Sequence, residues 1–454
     1  MTKPLFDSFD QVTAKEWKQK IQFDLKGADY NEALIFKSLE GIDIKPFYTQ
    51  EDIDDFTIQP ISSSSVWKNS LKIEVQDASK GNESAKKAIT KGAESLFLVI
   101  KNDQVDLNIL LQNIDASIVI YIETEFLSVP YVQSINEMAK AKKLTISFLT
   151  DSINRLAGTG NWFYTLKEDY NILEEITKLS NLQNVLSVDM GLYQNAGATM
   201  IQQLVYGIAH ANEYLNFFKD KDHNPLINTQ IVFKVALGGN YFFEIAKLRA
   251  LRLLWSTLAE AYTIQNECHI IAYPSHRNKT ILDYNVNMLR TTTECMSAIL
   301  GGADVVYNLP YDEVYNYEND FGTRIALNQL LILKNESYFG LVKNPANGSY
   351  YIESLTQQMA EKALALFKNI EKSGGFLKQL KSGIIQKKIK ESTNKEQQLF
   401  DEEKIILTGA NAFKNTNEVT PELEKPVFKK KKPRKTLIEP ILEKRLSALL
   451  EKNL

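Results

Sequence analysis

Eight short runs rich in β-branched residues follow one another between residues 71 and 310, each trailed by a stretch that can form a helix. They are 71–75 (LKIEV), 96–100 (LFLVI), 118–122 (IVIYI), 144–149 (LTISFL), 185–190 (VLSVDM), 231–237 (IVFKVAL), 268–272 (CHIIA) and 305–309 (VVYNL). Parallel strands covered by helices read as nearly continuous apolar runs, because both faces are buried, and these runs do so. The spacing of roughly 20 to 50 residues per unit leaves room for a crossover helix each time. This rhythm predicts an α/β fold, a closed TIM (β/α)8 barrel, with its chemistry in the loops that follow the strands.

Composition narrows the function classes. Apolar residues make up 44% and charged residues 24%, values of a water-soluble globular chain. A net charge of −3 gives no electrostatic reason to expect nucleic acid or a membrane surface. No apolar run is long enough to span a bilayer, and the start, MTKPLFDSFD, lacks the basic-then-apolar order of a signal peptide. Cys268 and Cys295, the two cysteines, are expected to be free, buried thiols in a reducing compartment, so the chain is expected in the cytoplasm.

The barrel, placed at 66–372, is flanked by an arm (1–65), a helical extension (373–413) and a tail (414–454). In the arm, Thr13 and Glu16 form a capping-box pattern, and Trp17, Ile21 and Leu25 recur at four-residue spacing. That stripe must bury itself on this chain or on another one. In the tail, six of the seven residues 429–435 are basic, read as a solvated tether, since a nucleic-acid patch would need aromatic residues between the charges. Residues 439–454 place Ile441, Leu442, Leu446, Leu449 and Leu450 on one face of an expected amphipathic helix. The expectation is that this helix docks on a surface outside its own barrel core, on the partner chain, so that deleting 426–454 leaves the melting temperature nearly unchanged.

The four histidines, His210, His223, His269 and His276, include no pair at i,i+4, which argues against a metal site. His269 reads as a hydrogen-bonded core residue. His276, just past strand seven with Ser275, Arg277 and Lys279, is a candidate ligand contact at the barrel mouth. Gly238 and Gly239 end strand six and could let a phosphate approach a helix start. Gly158-Thr159-Gly160 is a poorer cradle, with no third glycine opening a helix. Asp77, Glu123, Asp151 and Asp189 stand at strand ends, an acidic mouth that suits a polyanion badly. No nucleophile–base constellation is recognisable.

Several stretches together resemble one family. They are Trp17 with 24–27 (DLKG), 40–48 (EGIDIKPFY), 194–198 (QNAGA), 242–250 (FFEIAKLRA), 287–292 (NMLRTT), 301–304 (GGAD), 320–328 (DFGTRIALN) and 348–353 (GSYYIE). In this order they resemble methylmalonyl-CoA mutases over roughly residues 10 to 415, with 242–250 the most specific part. The resemblance implies a barrel that takes acyl-CoA through its centre, faced by a C-terminal domain holding adenosylcobalamin, and a radical interconversion of methylmalonyl-CoA and succinyl-CoA. It also places Gln194 and Asn195 at the mouth beside Gly238, Gly239, Ser275, His276 and Arg277.

The sequence departs from the family's catalytic pattern in four places. No histidine has an aspartate two residues before it, as the cobalamin motif D-x-H-x-x-G requires; Ile208, Lys221, Glu267 and Pro274 stand there. Ser62 occupies the position of the family's catalytic tyrosine and Ile271 that of its catalytic histidine. The loop after strand two is replaced by 101–106 (KNDQVD). These departures imply a non-catalytic small subunit of a heterodimeric mutase without a cobalamin domain of its own, supporting a large subunit that carries adenosylcobalamin. Trp17, Ile21, Leu25, Ile441, Leu442, Leu446 and Leu449 are the expected partner contacts. The alternatives are an acyl-CoA-binding barrel, or a mutase barrel working with a separately encoded cobalamin domain.

Overall fold

The computed structural model describes residues 10, 12–53, 67–415, 421–428 and 434–452. Ser62 and most of the basic run at 429–435 lie outside the described residues. Eight parallel strands form one sheet: β1 Lys68–Val75, β2 Ser95–Ile100, β3 Val119–Thr124, β4 Thr145–Phe148, β5 Ser187–Asp189, β6 Val232–Leu237, β7 His269–Pro274 and β8 Val305–Tyr307. β8 pairs with both β1 and β7, and a parallel bridge between Thr150 and Leu186 joins the β4 and β5 edges. Phe148 N–H to Asn184 O (2.9 Å) and Ser187 N–H to Thr150 O (3.1 Å) complete that seam. The barrel is closed, and all eight expected strands are present.

Alternation within each strand divides the apolar side chains into two sets. Ile73, Val75, Leu98, Ile100, Ile120, Ile122, Phe233 and Val235 face outward into the main core, shared with the surrounding helices. Phe97, Val99, Tyr121, Leu149, Ile271, Tyr273, Val305 and Tyr307 cluster separately inside the barrel. Both cysteines are free and buried, and burial pushes the Cys268 thiol up to about 12. Among the described residues, no helix is long and apolar enough to cross a membrane.

The helix Tyr241–Tyr262 carries the family-like 242–250 stretch and is more than an apolar cover. Glu244 accepts from Gly238 N–H (2.8 Å), and Lys247 Nζ donates to Ala236 O (3.0 Å) and Gln203 Oε1 (2.9 Å). Arg249 pairs with Glu353, while Arg252 reaches Asp304, Cys268 O and Gly302 O. These buried groups bolt the end of β6, the starts of β7 and β8, and the helix Tyr350–Lys372 to one another.

In the arm, the helix Ala14–Asp24 has the capping box expected from Thr13 and Glu16. None of its residues is buried; Trp17 is 48% exposed and stacks on Phe47 at 4.3 Å. The following segment is anchored: Tyr30, Ile42 and Ile53 are buried, and Glu40 caps the helix Met200–Phe218 through the Met200 and Ile201 amides (2.9 Å each).

The tail differs from its expectation. Among the described residues of the tail, only Ala448–Glu451 is helical; residues 434–447 are irregular and lie on this chain's own barrel. Ile441 and Leu446 are buried there, leaving Leu442 and Leu449 exposed. The reason is hydrogen bonding. The N–H groups of Leu437, Ile438, Ile441, Lys444 and Leu446 are spent on loop carbonyls of the barrel, so they cannot close helical turns. Burying Ile438, Ile441 and Leu446 contributes roughly 1.5–3 kcal/mol per side chain before ordering costs. Deleting 426–454 is therefore expected to lower the melting temperature by at least a few degrees, measured by differential scanning fluorimetry, rather than leave it unchanged.

Candidate functional site

Barrels of this kind keep their chemistry at the end where the strands finish, and the depth of that end is decided by the inward side chains. On β6 the middle inward position, between Val232 and Ala236, is a lysine. Lys234 Nζ sits 2.5 Å from Glu123 Oε2 on β3 and 2.7 Å from Asp189 Oδ2 on β5, and over the Phe97 ring on β2. Burial alone would depress the ammonium pKa; the two carboxylates outweigh it and hold the group charged, above its ordinary value. Around this cation the Tyr273 and Tyr307 rings stack at 4.8 Å and Phe97 tilts against Tyr307 at 5.2 Å. Lower down, Tyr121 Oη lies 2.9 Å from His269 Nε2. Burial pushes the His269 pKa down against the opposing Asp304, as befits a core imidazole.

Among the described residues, inward side chains pack together along the barrel axis. Phe97, Tyr121, Lys234, Ile271, Tyr273 and Tyr307 are each less than a tenth exposed. Ile271 is fully buried and apolar, so it can neither donate nor accept a proton. Gly191, opening the turn after β5, has no Cβ because Tyr273 Oη would stand 1.7 Å from it. That glycine and that tyrosine are a matched pair.

The mouth residues come together, but toward one another. Asn195 Oδ1 accepts from Ser275 Oγ (2.9 Å) and from His276 N–H (3.0 Å), while its Nδ2 donates to Glu443 Oε1 (3.0 Å). Gln194 Nε2 reaches Ser275 Oγ at 3.4 Å. The Arg277 guanidinium is buried on Glu396 (2.7 Å from Nε) and on Lys444 O (2.7 Å from Nη1). Lys279 is a buried ion pair with Glu294 at 2.7 Å. His276 is partly exposed and lies 3.4 Å from Glu313. Burial would raise the Glu313 carboxyl, but His276 and Lys72 overcome it and hold it at about 2.

The glycine turns also serve the fold. Gly238 N–H is taken by the Glu244 carboxylate, so a phosphate would meet an anion already in place; Gly239 is exposed beside Asn278. Asp77 and Asp151 cap the helices Ala78–Thr90 and Ser152–Thr159 rather than line a pocket. His210 is buried between Asp151 (2.9 Å) and Tyr193 (3.1 Å). The sequence reading missed Lys234, although a single cation amid IVFKVAL was the available signal.

The family profile described as Methylmalonyl-CoA mutase matches residues 94–453. The chain belongs to the methylmalonyl-CoA mutase family. It is 33% identical over 447 residues to a methylmalonyl-CoA mutase small subunit of Porphyromonas gingivalis, covering 91% of this chain and 72% of that protein. It is 25% identical to a methylmalonyl-CoA mutase of Rhizobium meliloti, covering 90% of this chain and 65% of that one. A methylmalonyl-CoA mutase large subunit of P. gingivalis is 27% identical over 290 residues, 62% of this chain and 40% of its own length. Within this mutase-family barrel, the family-like stretches 194–198 and 242–250 fall on the turn after β5 and on the bolting helix.

Replacing Lys234 by Met would leave Glu123 and Asp189 facing each other inside the barrel. Breaking such a buried ion set costs about 3–5 kcal/mol, so urea unfolding of Lys234→Met should shift by that amount. Unchanged stability would mean that the lysine does not brace the lumen.

Proposed function

We propose that this chain is the non-catalytic small subunit of a heterodimeric, adenosylcobalamin-dependent methylmalonyl-CoA mutase, paired with a homologous large subunit that holds the cofactor and carries out the isomerisation. The observation that carries this reading is the filled lumen. A family barrel that binds acyl-CoA through its centre needs that path open, whereas Lys234, Tyr273, Tyr307 and Phe97 occupy it here. Opening it would require breaking an ion pair and unstacking rings, a cost that ligand binding would have to offset.

The residues of this chain also do not fit cobalamin. It has no D-x-H-x-x-G ligand motif, and Asn195 and Arg277 at the mouth are engaged by Glu443 and Lys444 of the same chain. The same features weigh against an acyl-CoA-binding barrel and against a mutase barrel served by a separate cobalamin domain. Adenosylcobalamin titrated into the isolated chain, followed by its visible spectrum, should show no binding, and the chain alone should show no mutase activity. Stoichiometric binding would sink the proposal.

The arm supports the pairing. A helix of 11 residues is marginal in water by itself, and here none of its residues is buried, while Phe23 and Phe36 stand 78% and 64% exposed. A partner that covers the Trp17, Ile21 and Leu25 stripe would stabilise it. Since Phe47 already covers one face of Trp17, the remaining burial is worth roughly 1–1.5 kcal/mol. Trp17→Ala should therefore weaken the heterodimer about tenfold by titration calorimetry. An unaltered Kd would leave the stripe as packing within the arm.

A further inference from the structure

Residues 434–452 run across the barrel mouth and bond to the loops after three different strands. After β4, Gly160 O accepts from Leu437 and Ile438 N–H (2.9 and 3.2 Å) and Ala157 O from Ile441 N–H (2.8 Å). After β5, Asn195 O accepts from Lys444 N–H at 3.0 Å; after β7, Arg277 O accepts from Leu446 N–H at 2.9 Å. The receiving surface is shaped for this segment. Gly160 has a φ of +82°, and a Cβ there would come within 2.7 Å of Ile438 O.

The far end is held by one side chain. The fully buried Glu451 carboxylate accepts from Thr280 Oγ1 (2.8 Å), Ile281 N–H (3.1 Å), Ser447 Oγ (2.7 Å) and the Arg445 guanidinium (2.6 Å from Nη1). Apolar anchoring is thin by comparison. Ile438, Ile441 and Leu446 are buried, but Leu437, Leu442 and Leu449 stay exposed. A segment fastened mainly by hydrogen bonds to loops, with few apolar contacts, belongs to the low-stability end of a fold and can open without the rest.

We propose that residues 434–452 form a strap over the barrel mouth, latched by Glu451, that opens as one unit while the barrel stays folded. Closed, the strap covers Asn195 and Arg277 and keeps other molecules off these loops. Opening frees the Asn195 amide from Glu443 and the Arg277 Nη1 from Lys444 O. The inference concerns this chain alone and does not depend on its being a mutase small subunit.

Hydrogen exchange on the full chain tests it, comparing the wild type with Glu451→Gln and Ile441→Ala. Glu451→Gln leaves Arg445 without its carboxylate and should raise strap opening roughly a hundredfold, read at the Ile441, Lys444 and Leu446 amides. The Leu98, Ile122 and Val235 amides in the strands should exchange as in the wild type. Ile441→Ala, which removes a contact at the other end, should release the same amides with Glu451 intact. Strap amides that are unchanged in both variants, or that accelerate only together with the strands, overturn the proposal. If neither variant folds, the wild type decides: strap amides exchanging no faster than strand amides would overturn it too.

Discussion

The charge on Lys234 is the constraint around which the interior of this barrel is arranged. A lysine pointing into a lumen must be paired or lose its proton, and here it is paired twice, with Glu123 and Asp189. That arrangement ties three strands, β3, β5 and β6, through one nitrogen. It also places a cation under Phe97 and leaves Tyr273 and Tyr307 to fill the space above, with Gly191 giving way to the Tyr273 hydroxyl. An interior so occupied is a packed core.

The outside of the barrel uses the same means. The helix Tyr241–Tyr262 spends Glu244, Lys247, Arg249 and Arg252 on buried partners that belong to five other segments. Each charge has a counter-charge, Glu244 with Lys247, Arg249 with Glu353 and Arg252 with Asp304, so the set orients its neighbours although the Arg249 and Arg252 Nε atoms find no hydrogen-bond partner. Glu244 is instructive. By occupying the Gly238 amide, its carboxylate takes the place where an anionic ligand could otherwise bind at this turn, and its function is to hold the end of β6. The mouth residues Asn195, Ser275 and Arg277 follow the same pattern, their polar atoms facing protein groups on all sides.

The strands, the capped arm helix and the bolting helix were legible in the sequence because each depends on local periodicity or on a short motif. Thr13 with Glu16 needs only one helical turn to act, and it does. The tail was misread for the converse reason. Ile441, Leu442, Leu446 and Leu449 share a helical face on paper, but their backbone finds better partners in Ala157, Gly160, Asn195 and Arg277, which lie far away in sequence. Asn195, Gln194, Ser275 and His276 come together in the fold, yet what they face could not be read from spacing. Asn195 might meet a ligand or Glu443, and only the folded chain decides between them.

What the sequence by itself determined is the architecture and the family, since eight apolar runs and the 242–250 stretch constrain both through local pattern. What only the tertiary structure decided is the state of the barrel's two openings to chemistry, its lumen and its mouth. Lys234 comes from β6, Glu123 from β3 and Asp189 from β5, and the strap reaches the mouth from the far end of the chain. Such contacts bring together groups tens to hundreds of residues apart, and their energies depend on burial and distance, quantities that exist only once the sheet has closed.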